Sequence, residues 1–287
     1  MTTAGDYFRA TVARLRPVLD SEAEDAARII FEDVAGYDRK YIFMNGDREI
    51  LDFVQRNISA AVDKVLAGEP VQYAVGRARF MGMDFKVSPA VLVPRPETEG
   101  LVDLITDDWC GRSDLSVLDL CTGSGCIAVA LSRALPFSDV EAVDISADAL
   151  AVARENAAAL GARVRFVRAD VLDLRPEEDG KFDIVVSNPP YVCESEKKDM
   201  DARVLDYEPH LALFVPDSNP LEFYRPIAEY ASQALKKGGM LYFEINPLFA
   251  SDIASMLNNT GFADVQIFRD YRGKQRFARA AKTAEPS

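Results

Sequence analysis

Residues 118–128 read Leu118-Asp119-Leu120-Cys121-Thr122-Gly123-Ser124-Gly125-Cys126-Ile127-Ala128. An apolar run stops at a glycine-rich turn, and small apolar residues at helical spacing follow. Glycines at such a junction let the backbone turn tightly and approach a ligand at the helix N-terminus. Gly123, Gly125 and Ala128 satisfy the pattern GxGxxA, and Asp144 ends the next apolar run, about 20 residues on, where a carboxylate can accept both hydroxyls of a ribose. A nicotinamide-dependent enzyme looks the same up to this point. A tight strand-to-helix turn without ligand is the plainer alternative.

Outward from this turn the chain alternates. Apolar runs at Val117–Leu120, Val140–Val143, Val164–Val167, Ile184–Val186, Met240–Ile245 and Val265–Phe268 are separated by helix-like blocks such as Ile127–Leu135, Asp148–Leu160 and Glu222–Leu235. Short buried strands spaced by helices make βαβ units. The fold class expected is α/β, a doubly wound, mostly parallel Rossmann-like sheet, with Arg276–Arg279 as a last strand. The first ~70 residues differ: Phe8, Val12, Leu15 and Leu19 mark one helical face, as do Leu51, Val54, Ile58, Ala61 and Val65. Ser21 and Glu24 have capping-box spacing ahead of Ala27, Ile30 and Val34. Between them and the sheet, Phe80–Val87 alternates, and Ser88-Pro89 precedes Val91-Leu92-Val93, which reads as a β-hairpin. Pro96 with Glu97 and Glu99 opens a helix. The expected division is a helical partner-recognition domain over 1–75, a β-hairpin linker over 76–96 and a catalytic domain over 97–287.

Two more strand ends carry chemistry. Asp170 ends the third run, where it can accept from an adenine amino group with Val171 against the ring; a helix cap is the plainer alternative. The fourth run passes into Ser187-Asn188-Pro189-Pro190-Tyr191. Consecutive prolines donate nothing and stiffen the chain, so this corner chiefly accepts. A planar NH₂ group suits it: the Asn188 side-chain oxygen and the Pro189 carbonyl each take one hydrogen, and Tyr191 lies against the flat face. The nitrogen of such a group is a poor nucleophile, because its lone pair is delocalised. Fixing both N–H bonds aims its remaining density at an electrophile, the sulfonium methyl of S-adenosylmethionine. Alignment contributes roughly 7–11 kcal/mol when geometry is near attack, against about 0.5–1.5 kcal/mol net per hydrogen bond. Catalysis by alignment is therefore expected, with Asn188, Pro189 and Tyr191 as the catalytic set and neither a covalent intermediate nor a metal. An ordinary turn is the alternative.

The 287-residue chain carries a formal charge of −13, which weighs against a partner bound mainly through nucleic-acid phosphates. Local basic stretches exist (Arg77 to Arg95, and Arg269 to Lys282), for which solvated surface is the plain reading. Its four cysteines form no CxxC pair and His210 is the single histidine, so a zinc site is not expected and a reducing cytoplasm is the natural compartment. Neither a secretory signal nor a membrane span is expected.

With these residues in view, NPPY, VLDLCTGSGCIA and AVDIS resemble the amino-methyltransferase branch of class I S-adenosylmethionine-dependent enzymes. EPVQYAVGRARF, FKVSPAVLVPRPETE, YEPHLAL and RDYRGKQRFA resemble the release-factor glutamine methyltransferases, the HemK/PrmC family, over nearly the whole length. The resemblance implies methylation of the side-chain amide nitrogen (N5) of glutamine in the Gly-Gly-Gln loop of peptide-chain release factors. It implies that Cys121, Thr122, Gly123, Ser124 and Gly125 line the methionine end of S-adenosylmethionine, with Asp144 at the ribose, Asp170 and Val171 at the adenine, and Asn188 adjoining the cofactor. Asn188, Pro189, Pro190 and Tyr191 then hold the glutamine amide. Arg95, Glu97 and Thr98 lie in a family motif without individual assignments. Cys121 and Asn246 stand where glycine is common in the family, and the latter implies a locally different strand end. CTGSGCIA also resembles the ribosomal-protein glutamine methyltransferases, which lack the ETE after PRP. A nucleic-acid adenine methyltransferase and a binding module without turnover remain as rivals, and a dehydrogenase has no use for NPPY.

Overall fold

The amphipathic spacing of the N-terminal region closes into five helices in the computed structural model, which describes residues 2–175 and 179–283. They are α1 (Ala4–Leu19), α2 (Ala23–Ala35), α3 (Arg39–Asn45), α4 (Asp52–Leu66) and α5 (Val71–Val75). Leu15, Ile30, Phe31, Ile58 and Val62 are fully buried between them, each contributing about 1.5–3 kcal/mol by leaving water. The capping box expected at Ser21 and Glu24 does not form. A 3₁₀ turn over Asp20–Glu22 already has helical backbone, Glu22 stands at the N-cap with φ −78° and ψ −10°, and no side chain caps α2. Ser21 therefore lacks the extended conformation that lets a cap oxygen reach back.

A hairpin follows, β1 (Arg77–Phe80) and β2 (Met83–Lys86), and then α6 (Pro96–Asp108) with its proline in the first turn. Val91-Leu92-Val93 was expected to extend the hairpin and does not. The Val93 N–H donates to Glu208 Oε2 at 3.1 Å, away from any strand partner, and Pro89 and Pro94 have no N–H to give. The alternating region comprises β3 (Ser116–Leu120), α7 (Cys126–Ala134), β4 (Asp139–Asp144), α8 (Ala147–Ala159), β5 (Val164–Arg168) and β6 (Phe182–Ser187). After β6 come the short β7 (Val192–Cys193), α9 (Ala202–Tyr207) and short β8 (Phe214–Val215). The chain closes with α10 (Tyr224–Ala234), β9 (Leu235–Glu244), α11 (Ala250–Asn259), β10 (Phe262–Arg269) and β11 (Gln275–Lys282).

Seven strands form one sheet in the order β10-β11-β9-β6-β3-β4-β5. Pairings from β5 to β9 are parallel, and β11 runs antiparallel to both β9 and β10. Leu118 and Leu120 face the core built with α10 and α11, while Val117 faces the core built with α6 and α7. The order reverses at β3, which has β4 on one side and β6 on the other. That switch point opens a crevice at the carboxyl ends of these strands, where open α/β sheets bind ligands.

Two compact units result. One contains the helices up to residue 78, residues 87–89 and α9, whose Tyr207 hydroxyl donates to the Ala67 carbonyl at 2.9 Å and whose Arg203 pairs with Glu22 at 3.0 Å. The other contains 79–86 and the sheet with its helices. Among the described residues no helix is long and apolar enough to cross a membrane.

Candidate active site

A cavity of about 210 Å³ opens in the sheet unit at the switch point. Cys121, Thr122, Gly123 and Ser124 line it from the β3–α7 turn, Asp144 from the end of β4, Asp170 and Val171 from beyond β5, and Asn188 and Pro190 from beyond β6. Gly125, Pro189 and Tyr191 do not line it. Gly125 sits at the N-cap of α7 with φ +79°, and a Cβ there would come within 3.0 Å of Ala153 Cβ, so its bareness serves the packing of α7 on α8.

The turn is held from below. Asp119, fully buried in β3, accepts from the Thr122 hydroxyl at 2.6 Å and from the Ala128 N–H at 3.2 Å. The Thr122 N–H reaches the Val143 carbonyl at 3.0 Å, and Ser124's carbonyl accepts from buried Asn156 at 2.9 Å. Cys121 adopts φ +61°, the left-handed region. That conformation explains why glycine suits the position; with a Cβ it costs about 1–2 kcal/mol, yet the turn keeps its course. Gly123, at φ +54°, has no atom of the described residues, its chain neighbours aside, within 4 Å of where a Cβ would stand, so its missing side chain leaves cavity space directly against the backbone.

Asp144 is fixed by two amides: Oδ2 accepts from Gly123 at 2.8 Å and Oδ1 from Ser146 at 2.9 Å. Each oxygen retains capacity for a further donor. Burial holds its carboxyl above the usual carboxylate range, against the opposing effect of these amides. Asp170 forms a local turn by accepting from the Leu172 N–H at 2.9 Å. Among the described residues nothing hydrogen-bonds the half-buried Asn188 side chain, whereas the preceding Ser187 is fully buried and donates to the Leu120 carbonyl at 2.7 Å. Tyr191 is committed elsewhere: its hydroxyl donates to Glu244 Oε1 at 2.9 Å. Burial and the Glu244 carboxylate push its ionisation upward, so the phenol stays protonated.

Sequence reasoning missed three contributors. Asp119 and Glu244 each interrupt an apolar strand run, and an acid inside such a run was the available signal. The third is the wall made by 90–95 and 209–212, tied by buried Glu208, which accepts from Arg95 Nη2 at 2.6 Å as well as from Val93. No local spacing pairs residues over 100 positions apart.

Asp119 gives a pH prediction. Its second oxygen has no partner among the described residues, and burial pushes its pKa up to about 7. A carboxyl raised on folding contributes stability present below its unfolded value, near 4, and lost as pH rises through about 7. Thermal melts of wild type and Asp119→Asn are expected to shift in favour of the amide variant as pH is raised from about 4 to about 7. A constant difference across that range contradicts the assignment.

Two family models match the chain: the PrmC N-terminal domain over residues 6–76 and the methyltransferase small domain over 98–206. A release factor glutamine methyltransferase of Bacteroides thetaiotaomicron is 43% identical, covering 96% of this chain and 97% of that one. The chain belongs to the release factor glutamine methyltransferase family. A member from Flavobacterium psychrophilum is 42% identical over 94% of this chain and 96% of its own. A methyltransferase structure from Pyrococcus furiosus shares the fold with a TM-score of 0.51 at 19% identity, covering 82% of this chain and all of that one.

Proposed function

We propose that this member of the family transfers a methyl group from S-adenosylmethionine to the side-chain amide nitrogen of glutamine in peptide-chain release factors, in the cytoplasm. Family membership supports the reaction, and the Asn188 amide beside the glycine turn, unpaired among the described residues, supports the site. The residues present suit the methyl donor: Gly123 leaves room against the backbone, and Asp144 keeps acceptor capacity for two hydroxyls. When bound, S-adenosylmethionine supplies an electrophilic methyl on a positively charged sulfur.

The protein's part is orientation. Cys121 to Ser124 hold the amino-acid end of the donor, Asp144 its ribose, and Asp170 with Val171 its adenine. Asn188 Oδ1 and the Pro189 carbonyl accept the two amide hydrogens of the substrate glutamine, and the two prolines keep those acceptors fixed. No strong base is needed, because the proton leaves the amide after it has been alkylated.

The test offers the full chain labelled S-adenosylmethionine with a purified release factor, a ribosomal protein and DNA in parallel. Label on one glutamine of the release factor is expected. Label confined to the ribosomal protein or to DNA refutes the assignment.

A further inference from the structure

The last residue of β9 and the residue two beyond it are buried polar side chains without a part in the proposed reaction, and both grip Tyr191. Glu244 accepts from the Tyr191 hydroxyl through Oε1 at 2.9 Å and from the Thr98 hydroxyl through Oε2 at 2.6 Å. Two residues on, Asn246 Nδ2 donates to the Tyr191 backbone carbonyl at 3.1 Å and to Glu196 Oε2 at 2.9 Å. The Asn246 oxygen accepts from the Leu248 N–H at 3.0 Å, which starts a 3₁₀ turn. Glu196 Oε2 also accepts from the Cys193 N–H at 2.8 Å. Tyr191 is thus held at its phenol by the last residue of β9 and at its carbonyl by the residue that caps the turn after it.

A fully buried carboxylate is costly unless it is paired, and well-packed apolar residues often replace such groups without loss. Glu244 is 1% exposed and Asn246 3%. Burial raises the Glu244 carboxyl, and Thr98, Tyr191 and Arg276 counter it. Thr98 comes from the VPRPETE segment and Arg276 from β11, so distant segments converge on this one carboxylate. Glycine at 246 offers the Tyr191 carbonyl no donor; Asn246 supplies one, with φ −70° and no need of glycine's freedom.

We infer that Glu244 and Asn246 are positioning residues that act through Tyr191 to fix the Asn188–Tyr191 corner for amide methylation. The inference rests on the proposed function of that corner.

The test uses full-length Glu244→Gln, Glu244→Ala, Asn246→Gly, Tyr191→Phe and the Tyr191→Phe/Glu244→Ala double variant. Three quantities are read: kcat and KM with purified release factor, S-adenosylmethionine affinity by calorimetry, and hydrogen exchange of the Val192 and Cys193 amides. Glu244→Ala and Asn246→Gly are expected to lower kcat roughly tenfold, the scale of one hydrogen bond, with cofactor affinity changed less than about threefold and the Cys193 amide exchanging faster. Glu244→Gln, which still offers an oxygen to the phenol, is expected to recover most of kcat. The double variant is expected to be no slower than its slower parent, since both remove one contact. Unchanged kcat in folded Asn246→Gly and Glu244→Ala, or effects that multiply in the double variant, overturns the inference. So does a parallel loss of cofactor affinity. Should Glu244→Ala not fold, Asn246→Gly carries the test, through kcat and the exchange of the Cys193 amide. If wild type leaves release factor unlabelled, the functional reading fails by itself; the clamp is then judged on exchange, and unchanged protection of Cys193 refutes it.

Discussion

Asn188→Ala is expected to lower kcat by roughly 10²–10³-fold, the usual loss when one preorganised hydrogen-bonding group is removed from a reacting centre, while S-adenosylmethionine binds within about threefold of wild type. The half-buried side chain makes no hydrogen bond to the described residues, so its removal breaks none of theirs. Its neighbour Ser187 is the contrasting case, since its hydroxyl ties β6 to β3. Removing the Asn188 oxygen frees one amide hydrogen and lets the substrate nitrogen rotate out of line, which forfeits part of the roughly 7–11 kcal/mol that near-attack alignment can contribute. Single-turnover transfer to release factor, calorimetric cofactor binding and a thermal melt check the three parts separately. Equal losses of binding and turnover indicate a structural role and contradict the assignment.

Asp144→Ala is expected to weaken S-adenosylmethionine binding roughly 10²–10⁴-fold, because charge-assisted hydrogen bonds contribute about 1.5–3 kcal/mol each and two ribose hydroxyls lose their acceptor. At saturating cofactor, kcat is expected to stay within about threefold. Asp144→Asn, which keeps one oxygen, falls between. The pH dependence follows from burial. The carboxylate form accepts from both hydroxyls, and its pKa is raised, so wild-type affinity should begin to fall on acidification at a higher pH than for an exposed aspartate. The Asp144→Asn variant should lack this fall. Calorimetry across pH decides it; the same decline in both proteins places the titrating group elsewhere.

Much of the fold was legible because apolar periodicity reports burial directly. The six apolar runs from Val117 to Phe268 became strands of one sheet, and Arg276–Arg279 became part of its last strand, β11. Pro96 opened α6 where proline costs nothing. Local signals failed where another local turn or a tertiary partner outweighed them. Ser21 lost its capping role to a 3₁₀ turn, and Val93 gave its N–H to Glu208. Residues at strand ends could be placed at the cavity because a parallel sheet carries all its carboxyl ends to one edge.

By itself the sequence determined the sheet class, the glycine turn with its paired acid, and the acceptor-rich corner at Asn188-Pro189-Pro190. These follow from backbone freedom, strand periodicity and the missing proline donors, all of which are local properties. Only the tertiary structure decided that Gly125 serves packing, that Asp119 braces the turn from inside β3, and that the Tyr191 hydroxyl points to Glu244. Those facts depend on which side chains meet across the sheet after long separations in the chain, Thr98 with Glu244 among them. Hydrogen bonds of that kind leave no spacing in the sequence, because the fold brings their partners together.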